Sequence, residues 1–339
     1  MTTIVDVAKK AGVSVSTVSY ALSGVRRISE KTRQRVLQAV EELNYHPNLL
    51  ARGLVNKRTK IIALLYPAIA SDFLDDLQLD FIASVAKTTT HYGYGLLLFT
   101  SLMDEQEITQ FTNEGLVDGV ILMEVKRHDP RVELLKQLGY PFSMIGHTAS
   151  NEGNSFVDMD FYSALHLCTR HLAELNHREI AFLPIVNDFE AQLQNYLFES
   201  VRGFEDSVRT MGIQGVIHSC ESTTQGGYEA MKALLEERPG LSAVIAGTEP
   251  IYTGVARALL EKGLRVPRDF SVIGFMSPRA AEKYTPLITT LTLPTTEMGR
   301  MGVEFLINKL EGQESEPQQV ILAPELTVRQ STSRFSKSL

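Results

Sequence analysis

The spacing of hydrophobic positions changes once along this chain. Over the first sixty residues apolar side chains recur every three or four positions; from Lys60 onward short unbroken apolar runs alternate with longer amphipathic stretches. The first pattern predicts a small bundle of helices, and the second predicts buried parallel strands linked by helices. In the first region Ile4, Val7, Ala8 and Ala11 share one helical face, Thr3 is placed to cap that helix with Asp6 reaching back, and Gly12 ends it. Ser14 then caps a second helix whose Val18, Ala21 and Leu22 face inward, leaving Val15, Ser16, Ser19 and Tyr20 outward. Ser29 caps a third, with Val36, Leu37, Val40 and Leu43 as its apolar stripe. Pro47 stops it, and from Asn48 a short segment repeats Leu50, Ala51 and Leu54 at helical spacing before Lys57-Arg58. Gly53 weakens that segment by about 1 kcal/mol relative to Ala, which predicts a helix that orders only when docked.

The strand candidates come in two groups. Ile61–Tyr66, Leu96–Phe99 and Gly119–Leu122 form one; Ile180–Leu183, Val216–His218, Ala243–Ala246 and Ser271–Gly274 form the other. The expected fold class is therefore α/β: an all-α helix-turn-helix head followed by two doubly wound parallel-sheet lobes. In such sheets ligands bind beyond the C-terminal strand ends, so a cleft between the lobes is the expected binding site.

Charge sharpens this division. Residues 1–60 hold eleven Lys or Arg against four Asp or Glu, a net of +7, whereas the remainder carries −14 within an overall −7. A basic head on an acidic body points to a polyanionic partner. Arg26-Arg27, Lys31, Arg33 and Arg35 suit phosphate contacts around an exposed second helix, a distribution that a generic three-helix packing unit would not need. A stand-alone small-molecule-binding protein, or an α/β enzyme with a helical accessory, leaves both the basic head and the weak helix unexplained.

Other chemistry finds little support. Cys168 and Cys220 are too few for a disulfide framework and lack zinc or redox spacing, which fits a reducing cytoplasm. His166, Cys168 and His171 share a helical face with Leu172 and Leu175, so packing is preferred over a metal site. No nucleophile elbow or phosphate- or dinucleotide-binding loop occurs, and neither an enzyme activity nor a cofactor is expected. Met1–Asp6 lacks a signal-peptide pattern and no apolar run reaches about 18 residues, so neither secretion nor membrane spanning is expected.

The run I-V-D-V-A-K-K-A-G-V-S-V-S-T-V-S-Y-A-L-S-G, followed by L-N-Y-H-P-N-L-L-A-R-G-L, resembles the lactose and galactose repressor family. The resemblance implies a homodimeric, cytoplasmic transcriptional regulator, in the more common case a repressor, that binds palindromic operator DNA under control of a small molecule. It implies residues 1–46 as the DNA-binding domain, 47–59 as a hinge helix and linker, and 60–339 as a periplasmic-binding-protein-like core for effector binding and dimerisation. Within that core, lobe 1 is expected at about 60–160 and 290–320, and lobe 2 at about 161–289 and 321–332. Carried onto this sequence, the family pattern assigns base reading to Val15, Ser16 and Tyr20 and phosphate contacts to Thr17 and Ser19. Thr3, Ser14, Asn48, Ala51 and Arg52 complete the DNA-contacting set, and Leu54 is the residue that would wedge between base pairs. Tyr20 replaces a common Arg and cannot grip guanine bidentately, so a different preferred base pair is expected there.

In the core, Asp118–Leu122, Arg202-Gly203-Phe204, Gly263–Pro267 and Val272–Phe275 match the family. The departures bear on the effector: Ser200 stands at a frequent Arg, Thr248-Glu249 at an Asn-Asp pair, Met276 at an Asp, and Gly146-His147 at an Asp-Arg pair. Sugars need a replacement hydrogen bond for each hydroxyl taken from water. The effector is accordingly either no ordinary sugar, or one held by substitutes such as Glu124, His147, Asn195, Glu249 and Tyr252. Phe73, Phe161 and Met276 are candidates for a more apolar wall; Ser101, Ser200 and Thr248 complete the expected set. The polar tail from Gln330 lacks heptads, so a tetramerising coiled coil is not expected.

Overall fold

The computed structural model describes residues 2–23, 28–45, 58–67, 74–185, 194–313 and 316–336. In the head, α1 (Ile4–Ala11), α2 (Val15–Ser23) and α3 (Glu30–Glu42) pack around Val7, Ala8, Val18, Ala21 and Val36. Thr3 caps α1 with a reciprocal box to Asp6, and Gly12 ends it at a φ of 63°, where glycine carries no Cβ penalty. The Ser14 hydroxyl accepts from the Thr17 amide at 3.1 Å and fixes the start of α2. One expectation fails: Leu37 is 45% exposed, because Ala39 takes the inward position between Val36 and Val40.

Two six-stranded sheets form the core. The first runs β11 (Gln319–Leu322), β5 (Phe156–Met159), β4 (Phe142–Ile145), β3 (Gly119–Leu122), β1 (Ile61–Leu65), β2 (Gly95–Phe99), all parallel. The second runs β12 (Glu325–Thr327), β10 (Thr289–Thr292), β9 (Ser271–Phe275), β8 (Ala243–Ala246), β6 (Glu179–Leu183), β7 (Gln214–Ile217), parallel except that β12 lies antiparallel to β10. Alternation explains the unbroken apolar runs. Ile62 and Leu64 enter one core while Ala63 and Leu65 enter the core across the sheet; Phe182 and Leu183 part in the same way in the second sheet. At its edge, β2 keeps Leu97 and Leu98 38% and 39% exposed, so this apolar run is not a two-sided buried strand.

The chain passes between sheets at 159–161, 292–295 and 322–325. These positions correct the expected lobe limits: Thr290–Thr292 stay in the second sheet, and Ile321 and Leu322 stay in the first, because strand pairing continues past 290 and 320. Close helix crossings set the cleft wall of the second lobe. A Cβ on Gly203 would lie 2.3 Å from the Tyr162 carbonyl oxygen, and one on Gly254 would lie 2.2 Å from that of Thr224. Glycine there lets the helices Phe161–Glu174 and Asn195–Met211, and the pair Thr224–Glu237 and Glu249–Glu261, approach with their N-termini at the cleft.

Candidate functional sites in the head and between the lobes

The second helix of the head presents an exposed, uncharged N-terminal turn. Val15 is 40% exposed, Ser14 and Ser16 are exposed, and Thr17, Ser19 and Tyr20 are half-buried. The Ser14 hydroxyl lies 2.9 Å from that of Ser16 and 2.8 Å from that of Thr17, so this turn concentrates hydroxyl groups where helix amides point outward. Lys9, Lys31, Arg33 and Arg35 are exposed on the neighbouring helices, while Lys10 is tied to Glu42 at 2.6 Å. The arrangement can meet an anionic backbone with cations and offer small side chains to whatever lies beneath the helix.

Where residue 58 rejoins the described chain, two carboxylates of the first lobe clamp it. Asp118 accepts from the backbone amides of Thr59 and Lys60 at 2.6 and 3.0 Å, and Glu311 pairs with Arg58 and Lys60 at 3.2 and 2.8 Å. The Lys60 and Tyr94 hydrogen bonds hold the Glu311 carboxyl down to about 2.

Between the lobes lies a cavity of about 700 Å³. Its first wall is built at the strand ends from Tyr66, Met123 to Val125, Ile145 and Asp158, and from the start of the helix Asp76–His91. Facing it are Phe161, Tyr196, Ser222 to Thr224, Gly247 to Pro250 and Phe275. Asp75 caps the helix that follows it, accepting from the Gln78 amide at 2.8 Å, and burial raises its carboxyl. Glu124 has a φ of 51°, which few non-glycine residues hold, and lies deep in the molecule with its accessible surface on the cavity. Burial pushes its carboxyl up to about 7, and nearby Asp158 and Asp75 push the same way, against a hydrogen bond from Tyr196 and the charge of Arg131. Burial raises the Glu249 carboxyl as well, although Tyr284 donates to it at 3.0 Å.

The lobes are bridged on two sides of this cavity. On one, Lys283 meets Asp76 at 2.5 Å and Arg279 meets Asp80 at 2.7 Å. On the other, the Asn195 amide donates to the Val125 carbonyl at 3.1 Å, and its side-chain amide lies 2.7 Å from His147 Nε2. His147 Nδ1 in turn meets Asp158 at 2.7 Å, and the Arg127 guanidinium stacks 3.8 Å from the Phe198 ring centre. Contacts on both sides thus join the lobes across the cavity.

Residues 3–48 match the family model of bacterial regulatory proteins, lacI family, and residues 169–332 match a periplasmic binding protein-like domain. The chain is 30% identical to the HTH-type transcriptional regulator RegA of Clostridium saccharobutylicum, over 98% of this chain and 99% of that protein. It belongs to the LacI family. As a member of that family it is a DNA-binding transcriptional regulator with an effector-binding core. The regulator CelR of Thermobifida fusca is likewise 30% identical, over 97% of this chain and 98% of its own. A CelR–cellobiose complex shares the fold with a TM-score of 0.73 at 28% identity, covering 98% of this chain and all of that one. The lac repressor dimer bound to operator and an anti-inducer has a TM-score of 0.83 at 23% identity, over 98% of this chain and 99% of that one.

Among the sequence-predicted cleft residues of this LacI-family chain, the fold brings Glu124, Phe161, Thr248 and Glu249 to the cavity wall. His147 and Asn195 stand behind it and join the lobes. Ser200 is buried in its helix, Met276 is buried in a core, and Tyr252 packs edge-on to Tyr284 at 4.7 Å, so none of these three lines the cavity. Ser101 is exposed and also absent from the wall, since it follows the edge strand β2. Phe73, and in the head and hinge Arg26, Arg27, Asn48, Ala51, Arg52 and Leu54, lie outside the described residues. Sequence reasoning missed Tyr66, Asp75, Asp158 and Tyr196. The first is the last residue of the run read as the first strand, just past the end of β1, and that position was the available signal. His166 and His171 take hydroxyl partners, Ser207 at 3.0 Å and Thr332 at 2.9 Å, and Cys168 is fully buried between them.

Proposed function

We propose that this chain is a cytoplasmic homodimeric repressor that binds a palindromic operator and changes its affinity for it when a small molecule fills the interlobe cavity. The observation carrying this reading is the union on one chain of an exposed, hydroxyl-rich helix in a cationic head with a two-lobed core that encloses a cavity. In this reading residues 1–46 read DNA, 47–59 act as hinge and linker, and residues from 60 onward bind effector and partner. Val15, Ser16 and Tyr20 face base edges, while Thr17 and Ser19 contact phosphate. Thr3 and Ser14 approach the backbone as exposed caps. Asn48, Ala51 and Arg52 contact the operator centre, and Leu54 wedges a base step there. The exposed Leu97 and Leu98 offer an apolar strip to a second copy, as two heads on a palindrome require.

The effector acts by touching both lobes. Phe161, Thr248 and Glu249 from one side and Glu124 from the other are its expected contacts, with His147 and Asn195 holding the closed form. Operator affinity then changes only by the difference in effector binding between DNA-competent and incompetent states. Release by an inducer is the favoured sense. A sugar or sugar derivative is the favoured class, by analogy with the cellobiose held by CelR.

Selection from a random duplex library with the full-length chain tests the reading. A single palindrome should be enriched, with binding that weakens steeply as salt rises and falls again in Leu54→Ala. Failure to enrich any sequence, with or without extracts containing small metabolites, would overturn it.

A further inference from the structure

Charge is badly unbalanced around the cavity. Asp75, Asp76, Glu124, Asp158 and Glu249 line it, and Lys283 is the one Lys or Arg among the lining residues described. That lysine is already engaged by Asp76. Arg131, which tempers Glu124 from behind, is committed to Asp129 and to the carbonyl oxygens of Met123 and Glu124.

The cavity walls also carry aromatic faces, from Tyr66, Phe81, Phe161, Tyr196 and Phe275, and short hydroxyls at Ser222, Thr223 and Thr248. Such a surface accepts C–H faces and hydroxyl groups, and its carboxylates outnumber the cations beside them: Asp76 meets Lys283 and Asp158 meets His147, whereas Glu124 and Glu249 take hydrogen bonds from tyrosine hydroxyls. A phosphate or carboxylate on the ligand would add like charge, and a neutral sugar would leave the imbalance as it is. Among the described residues no group of three or more metal-ligating side chains converges.

We propose that the cavity selects a cationic, hydroxyl-bearing effector, a sugar or polyol carrying an ammonium group seated against the Glu124 carboxylate. This rests on the reading of the cavity as the effector site. The ammonium donates to Glu124 and is attracted by Asp75 and Asp158, while its hydroxyls meet Thr248 and its neighbours.

Titration calorimetry on the full-length chain at pH 7.5 tests this with matched probes: glucosamine against glucose and N-acetylglucosamine, fully deacetylated chitobiose against cellobiose, and gluconate as the anionic control. The amine of at least one pair should bind about ten-fold or more tightly than its neutral partner, the scale of one charge-assisted hydrogen bond. Glu124→Gln should bring the ratio of amine to neutral affinity down about ten-fold, to near one. If Glu124→Gln does not fold, the wild-type preference decides alone. Equal or tighter binding of the neutral or anionic probes, absence of binding by every amine, or a preference kept in Glu124→Gln overturns the inference. Should a neutral or anionic probe bind and weaken in both Phe161→Ala and Thr248→Ala, the effector cavity stands and only its charge preference has failed. Binding insensitive to both variants removes the cavity reading too.

Discussion

The head and the interlobe cavity solve opposite electrostatic problems on one chain. In the head, cations and hydroxyls stand on an open surface, and the side chains of the second helix need little more than Ser14 and a small core to be placed. In the cavity, carboxylates are enclosed, and three of them are held by groups from other elements: Glu124 by Tyr196, Asp158 by His147, Glu249 by Tyr284. An open site can be altered with little effect on folding, because water still solvates what is removed. An enclosed one cannot, because its charges already carry a desolvation cost.

The strongest way to sharpen this contrast is to add charge to the open site. Thr17→Glu places a carboxylate at the third position of the second helix, where it can complete a capping box with Ser14. DNA affinity should fall on the order of a hundred-fold through repulsion of phosphate, while thermal stability holds or rises. Gel-shift and unfolding measurements read the two effects separately, and a parallel loss of both would show that the head is not the independent surface described here.

The next test removes charge from the enclosed site. Because the folded carboxyl of Glu124 is raised to about 7, above its ordinary value near 4.3, its stabilising contribution is present in acid and is lost as pH climbs from about 4.3 through 7. Glu124→Gln should therefore match the wild type near pH 5 and exceed it above pH 7.5, by roughly 2 kcal/mol. Denaturant titrations at the two pH values check this, and equal stability differences at both would contradict a buried, pH-dependent penalty.

The smallest effect is expected at the rim between open and enclosed. The Lys283–Asp76 and Arg127–Glu199 contacts are partly solvated, so Lys283→Ala with Arg127→Ala should cost less than about 1 kcal/mol of stability. Small-angle scattering should nevertheless report a larger radius of gyration as the lobes open, and an unchanged radius would assign closure to the backbone link at Asn195 and Val125 instead.

The two regions were also unequally legible. Thr3, Ser14 and Ser29 announced the head because a cap lies three residues from the amide it receives, and the helical period then decides which faces turn outward. Strands buried on both faces were readable as apolar runs, whereas β4, β5 and the strands after 288 escaped notice. Phe142-Ser143-Met144-Ile145 is broken by a serine that donates to the Gly302 carbonyl, and Phe156-Val157-Asp158-Met159 by an aspartate serving the cavity.

For the cavity itself the sequence could only nominate residues. It determined that this chain has a helical, basic, DNA-reading head and a two-lobed α/β core, because periodicity, capping and charge act over a few neighbouring residues. Only the tertiary structure decided that Met276 and Tyr252 turn into the core, that Tyr66, Asp75 and Tyr196 share a cavity with Glu124, and that His147 and Asn195 join the lobes. Those outcomes depend on strand order and on helix crossings at Gly203 and Gly254, which bring together segments more than a hundred residues apart. No local pattern encodes that distance.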